Sequence, residues 1–148
     1  MSDDLKALAR RTLEEIFPNG DVAALAQVVH QDCVNHEAPP GAPQGLEGMT
    51  QTMLMLQRAF SDRRYEIHQV IGEGDTVAIH CTFSGRHTGE FLGLPPTNRT
   101  FAVRQVHIVR FEDGKGVEHW AVRDDLALMR QLGALGSRGG LISASAAG

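Results

Sequence analysis

Cysteine is scarce in this chain: Cys33 and Cys81 are the only two among 148 residues. The two could pair, but without a secretory leader two buried free thiols are expected. Positive charge is not in excess. Lys and Arg number 14 against 18 Asp and Glu, a formal net charge of −4. Such a chain lacks the basic surface that displaces counterions from a nucleic acid. It equally lacks a polybasic patch for an anionic membrane. No run of about 18 apolar residues occurs, so no segment is expected to span a bilayer. The opening MSDDLKALARR has no apolar h-region. A secretory leader is not expected, and the expected location is the cytoplasm.

Metal and nucleophile signatures are missing too. There is no C-x-x-C and no H-x-x-x-H, so neither a metal nor a cofactor is expected. His80 and Cys81 are neighbours in an extended segment and point to opposite faces. Neither G-x-S-x-G nor G-x-G-x-x-G is present. This argues against a hydrolase nucleophile elbow and a dinucleotide fold.

What is present is an ordinary globular balance, 42% hydrophobic and 22% charged, in a chain of single-domain length. Leu5, Leu8, Thr12, Leu13, Ile16 and Phe17 recur at helical spacing, and Pro18-Asn19-Gly20 ends that pattern. Asp21 is a predicted N-cap for a second helix, with Val22, Leu25, Val28 and Val29 on one side. A short strand over 32–38 and a Pro/Gly loop over 39–45 follow. A third helix carries Leu46, Met49, Met53, Leu56 and Phe60 and is expected to close at Ser61-Asp62. The period then changes to two. Residues 64–71 and 76–83 read as a hairpin around 72–75. Residues 84–99 read as a long loop. Residues 100–111 alternate strictly, with Phe101, Val103, Gln105, His107, Val109 and Phe111 on one face. Residues 117–123 return as a last strand, and Asp124 is predicted to cap a terminal helix that ends on Gly133. The expected domain is 1–133, and residues 134–148, mostly Gly, Ala and Ser, read as a flexible tail. Helices followed by antiparallel strands make an α+β fold. Helices packed in the concave side of a curved sheet leave an apolar cavity at its open end, where small ligands settle.

Seven histidines are the conspicuous chemical feature. Imidazole titrates near neutrality and serves as acid or base. Strand alternation points His107 at the core. Pairing across residues 112–116 sets His107 near Ala121 and His119 near Val109, so both histidines are candidates to line one concavity. There they are either proton-transfer groups next to a substrate carbonyl or core histidines satisfied by neighbours. Asp124 is either a helix cap or a base at the mouth of the pocket. Trp120 has the opposite strand parity to His119, so only one of the two faces inward.

Three blocks then resemble a known family. They are NHEAPPGAPQGLEG (35–48), GRHTGEFLGLPPTNR (85–99) and RFEDGKGVEHWAVRDDLALMRQLG (110–133). In this order they resemble the SnoaL-like polyketide cyclases, also called ester cyclases. One departure is Asn98, where that family usually has Gly. The resemblance implies a nuclear transport factor 2-like cone, and a homodimer or higher homo-oligomer formed through the sheet. It implies ring closure by intramolecular aldol condensation without metal or cofactor, with a small hydrophobic or polyketide-like ligand. It also implies a histidine and an aspartate as proton-transfer groups. His107 matches the histidine. The aspartate would follow the Trp of E-H-W, where this chain has Ala121, and Asp124 is the nearest carboxylate. The expected catalytic residues are therefore His107 and Asp124. His36, His87, Phe91, His119, Trp120 and Arg123 are the expected substrate-binding or lid residues. Two other readings stand beside the cyclase: a non-catalytic binding protein for a hydrophobic metabolite, and a hydrolase resembling limonene epoxide hydrolase, with Arg123 and Asp124 activating water.

Overall fold

A computed structural model describes residues 2–135. The sequence tail over 136–148 lies outside the described residues. Helix α1 (Ser2–Arg11) runs on through a π-helical segment, Thr12–Ile16, into one last turn, α2 (Phe17–Asn19). The Thr12 hydroxyl donates to the Leu8 carbonyl at 2.9 Å, the kind of side-chain back-bond that accompanies a local change of helical pitch. Pro18 sits inside the last turn, and Gly20 closes it in the left-handed region with φ 62°. The Asp21 carboxylate accepts from the Ala24 amide at 3.0 Å and caps α3 (Val22–Val28). Val22 is 45% exposed, off the buried face expected for it.

Strand β1 (Val29–Asn35) begins three residues earlier than its composition indicates. Helix α4 (Gly45–Ala59) ends on Ala59, and Phe60 already opens strand β2 (Phe60–Glu73). The helical stripe thus overshoots by one apolar residue, because Phe60 is buried in either conformation. Ser61 and Asp62 lie in a β-bulge, where Asp62 takes φ 54°. Strand β3 (Thr76–His87) extends into the segment read as loop. Strands β4 (Thr100–Glu112) and β5 (Lys115–Arg123) lead to α5 (Asp125–Gln131).

The sheet order is β1-β5-β4-β3-β2. Strand β1 runs parallel to β5 and the other pairs are antiparallel. Two register shifts in β2 bend the long β2–β3 hairpin, since each bulge adds local twist and curvature. On β3 every second residue is buried, from Val77 through Ile79, Cys81 and Phe83 to His87. That face packs against α1. Beyond the expected domain end at Gly133, Ala134 is buried at 1% exposure and its amide donates to the Met129 carbonyl at 2.9 Å.

The loop after β3 is tied down tightly. The Gly89 amide donates to the Ala59 carbonyl at 3.0 Å, and a Cβ there would lie 2.0 Å from the Arg58 carbonyl oxygen. Only glycine fits that approach. Asn98 takes φ 61°, a conformation that Asn reaches far more readily than a branched residue. Its amide donates to the His87 carbonyl at 2.8 Å. Asn98→Gly is expected to hold or raise the melting temperature. Asn98→Val is expected to cost about 1–2 kcal/mol, and thermal denaturation of the two variants checks both.

Candidate active site

The concave face of the sheet and the helices enclose a cavity of about 340 Å³, within the usual range for small-molecule sites. Its walls are apolar for the most part: Leu13 and Phe17 from the N-terminal helix, Met55 and Leu56 from α4, Ile79 and Phe83 from β3. Phe91 reaches in from the loop after β3 and stacks near Phe60, with ring centroids 4.9 Å apart. Tyr65, from β2, lies against Phe83 with centroids 4.6 Å apart. Burial pushes the Tyr65 phenol above its ordinary pKa, so it stays a hydrogen-bond donor.

One polar chain crosses this wall. The β4–β5 register pairs His107 with Ala121, Val109 with His119 and Gln105 with Arg123. Alternation sends His119, Ala121 and Arg123 to the inner face together. His107 Nδ1 lies 3.1 Å from His119 Nε2. His119 Nδ1 lies 2.8 Å from Asn35 Oδ1. His107 Nε2 lies 2.7 Å from Gln105 Oε1. Strand β1 brings Asn35 in by parallel pairing with β5, in register with His119.

Donor and acceptor accounting fixes the protons. Asn35 Oδ1 also accepts the Glu37 backbone N–H at 3.0 Å, which pins its oxygen toward His119. His119 therefore carries its proton on Nδ1, and its Nε2 is a lone pair. His107 must donate from Nδ1, which leaves the His107 Nε2 lone pair facing Gln105. The Gln105 oxygen that faces Nε2 matches an imidazolium, and a neutral His107 is matched when the amide turns its NH₂ to Nε2. Gln105 makes no other side-chain hydrogen bond among the described residues, so its amide is free to match either state. Burial lowers both histidines. His107 falls well below its ordinary value, helped by His119 and Arg123. His119 is pushed down to about 4, with Arg123 adding to burial. Both rings are neutral at pH 7.

The other expected site residues are placed differently. His36 and Trp120 do not line the cavity. They stack on each other with centroids 5.0 Å apart, and His36 Nε2 meets Glu118 Oε2 at 2.7 Å. Trp120 shares parity with Glu118 and so belongs to the outer face. His87 is fully buried and lies outside the cavity lining. Its Nδ1 accepts the Thr97 amide at 3.1 Å, so it anchors the loop that carries Phe91. Asp124 is exposed, and its carboxylate accepts the Ala127 amide at 3.0 Å as the cap of α5. Asp125, also exposed, lies at the rim of the cavity. Arg123 lines it as well. Cys33 and Cys81 are buried free thiols, and burial pushes Cys81 up to about 11.

Comparison with known proteins decides the family. Residues 7–132 match the SnoaL-like polyketide cyclase family. The chain belongs to that family. It is 31% identical over 126 residues to the aklanonic acid methyl ester cyclase DnrD of Streptomyces peucetius, covering 83% of this chain and 87% of that one. It is 31% identical over 119 residues to the nogalonic acid methyl ester cyclase of Streptomyces nogalater, covering 79% and 89%. The structure of TsrD from Streptomyces laurentii superimposes with a TM-score of 0.84 at 31% identity, covering 91% and 98%. The fold is the nuclear transport factor 2-like cone that SnoaL-like proteins share. Against that background, sequence reasoning passed over Asn35, Tyr65 and Gln105 as site residues. Gln105 shares strand parity with His107, and Asn35 stands in the N-H pair of the first block, so both had a signal.

The buried neutral histidines make stability depend on pH. Each folded-state pKa lies below the unfolded value of about 6.5. Stability is full above that value and is lost as pH falls from 6.5 through the folded pKa, about 4 for His119, at a slope on the order of 1 kcal/mol per pH unit per group. Denaturant melts from pH 8 to pH 4 should show this fall, and His119→Gln should flatten it. Long-range ¹H–¹⁵N spectra at pH 7 should show His119 and His107 both protonated at Nδ1. A His119 ring protonated at Nε2 would refute the accounting.

Proposed function

We propose that this SnoaL-like protein catalyses the intramolecular aldol cyclisation of a polyketide-like substrate, with His107 as acid and base and no cofactor. The observation that carries this reading is the pair of neutral imidazoles, 3.1 Å apart, set in an otherwise apolar cavity. A carbon between two carbonyls is acidic enough for a neutral imidazole to deprotonate once proximity removes the cost of encounter. The His107 Nε2 lone pair takes the carbon proton. The Gln105 oxygen accepts the new Nε2–H, and its NH₂ donates to the carbonyl oxygen where enolate charge develops. The enolate carbon attacks a second carbonyl within the same molecule. The resulting alkoxide takes the proton back from His107, so the product is an isomer of the substrate. His119, held by Asn35, accepts the Nδ1 hydrogen bond and stabilises the imidazolium that forms between the two proton transfers. Asp124 has no part in this scheme beyond capping α5.

The relatives act on aklanonic and nogalonic acid methyl esters by name, so these are the first probe substrates. Wild-type protein should convert one of them to a product of unchanged mass and altered absorption spectrum. His107→Ala should lower kcat by roughly 10²–10⁴-fold. Because the base is lowered well below its ordinary pKa, kcat/KM should stay flat from pH 8 through 6.5 and fall only at lower pH. Unchanged turnover in His107→Ala would sink the assignment. One observation favours a second reading: Ala121 stands opposite His107 and supplies no carboxylate beside the ring. A non-catalytic binding protein would retain the probe at one per subunit with no product.

We assign self-association to the outer face of the sheet. Val122 is 75% exposed there, paired with Val106, beside the Ile108–Trp120 pair. Val122→Glu should convert a homodimer to a monomer in size-exclusion chromatography with light scattering. Wild-type protein that runs as a monomer would rule this interface out.

A further inference from the structure

Arg123 is the unusual group in this cavity. It ends β5 on the same face as His119 and Ala121, directly across from Gln105. It lines an apolar space, yet none of the ion pairs among the described residues includes it. No hydrogen bond from its guanidinium is found among them either. Glu37 and Asp125 also line the cavity, but neither makes an ion pair with Arg123. Arg123 lines the same cavity as Tyr65, Gln105, His107 and His119.

Between Arg123 and His119 on the inner face stands Ala121, the smallest side chain in the row, opposite His107. The row therefore has a gap beside the imidazole pair, with an unpaired cation at its edge. A half-buried guanidinium lining an apolar cavity offers its donors to a ligand, and a planar carboxylate is the group its fork fits best.

We propose that Arg123 binds a free carboxylate of the ligand, seated over Ala121 beside His107, so that this cavity prefers a carboxylic acid to its methyl ester. The proposal rests on the reading of this cavity as the substrate site, and it departs from the methyl esters that the relatives' names carry. The bound carboxylate places a negative charge where the protein supplies none. It thereby favours the imidazolium that His107 becomes during proton transfer.

Binding alone tests this, with probes that cannot cyclise: naphthalene-2-carboxylate and its methyl ester, titrated calorimetrically at pH 7. Wild-type protein should bind the carboxylate roughly ten- to a hundred-fold more tightly than the ester. Arg123→Met should bring that ratio close to one. Arg123→Gln provides a second variant should the first fail to fold. Asp125→Asn should raise the ratio, because it removes a competing negative charge. In the wild type, the carboxylate should also move the His107 and His119 ring resonances toward the protonated form, and the ester should not. Equal affinity for both probes, or binding of neither, would overturn the proposal. So would a ratio that survives in both Arg123 variants. The two readings fail separately. Arg123-dependent carboxylate binding without any turnover would uphold this site and sink the cyclase. Faster cyclisation of an ester than of the matching acid would do the reverse.

Discussion

The ladder between β4 and β5 is the constraint on which the site depends. Side chains alternate along a strand, so a slip of one residue would turn the whole inner set outward. The observed register aligns His107 with Ala121 and Gln105 with Arg123. The tight turn at Asp113 and Gly114, both with positive φ, closes the hairpin, and a one-residue shift between Arg110 and Phe111, with Val117 as the extra residue, sets that register. The burial of Phe101, Val103 and Phe111 on the same face holds it. The polar residues of the site are thus placed by the same alternation that builds the core. They occupy steps of the pattern where an apolar side chain would otherwise stand.

Polar groups buried in such a wall are costly unless they are paired. This explains the length of the chain from Gln105 through both histidines to Asn35. A lone histidine on this face would leave one ring nitrogen unmatched. Two histidines in contact need a fixed proton direction, and Asn35 provides it because the Glu37 amide holds its oxygen. Strand β1 contributes little to the core at this end. Its parallel pairing with β5 matters because it delivers Asn35 to His119.

The local signals in the sequence were legible where the physics is local. Asp21 and Asp124 read as caps, and both accept an amide at the third residue along. The strict alternation of 100–111 put His107 on the inner face, and hairpin counting put His119 beside Val109, as the register shows. The α+β cone followed from element order together with the resemblance. The contribution of Asn35 was not legible from spacing, because a parallel strand pairs with a partner more than 80 residues away and no turn sets the offset. His36 and Trp120 read as pocket residues because they sit in the motifs. Strand parity puts Trp120 on the outer face, and the shared Glu118 holds His36 there with it. His87 read as a ligand group, but its Nδ1 is taken by Thr97, and its ring lies outside the cavity lining. The helix end at Ala59 was hidden because Phe60 satisfies a helical stripe and a strand core equally well.

Three consecutive residues at the end of β5 show how finely fold and chemistry divide the same segment. Arg123 still follows strand alternation and faces inward. Asp124 leaves the strand, and its carboxylate is taken by the first free amides of α5, where the developing helix dipole favours a charged oxygen. Using that carboxylate as a base would leave the helix uncapped at a cost of about 1 kcal/mol, with the oxygen still outside the cavity. Asp125, one step on, is exposed at the rim of the cavity. The cap therefore separates a cation and an anion that both line the site, and it keeps them from pairing as sequence neighbours. The charge of Arg123 is thereby left available to whatever enters the cavity.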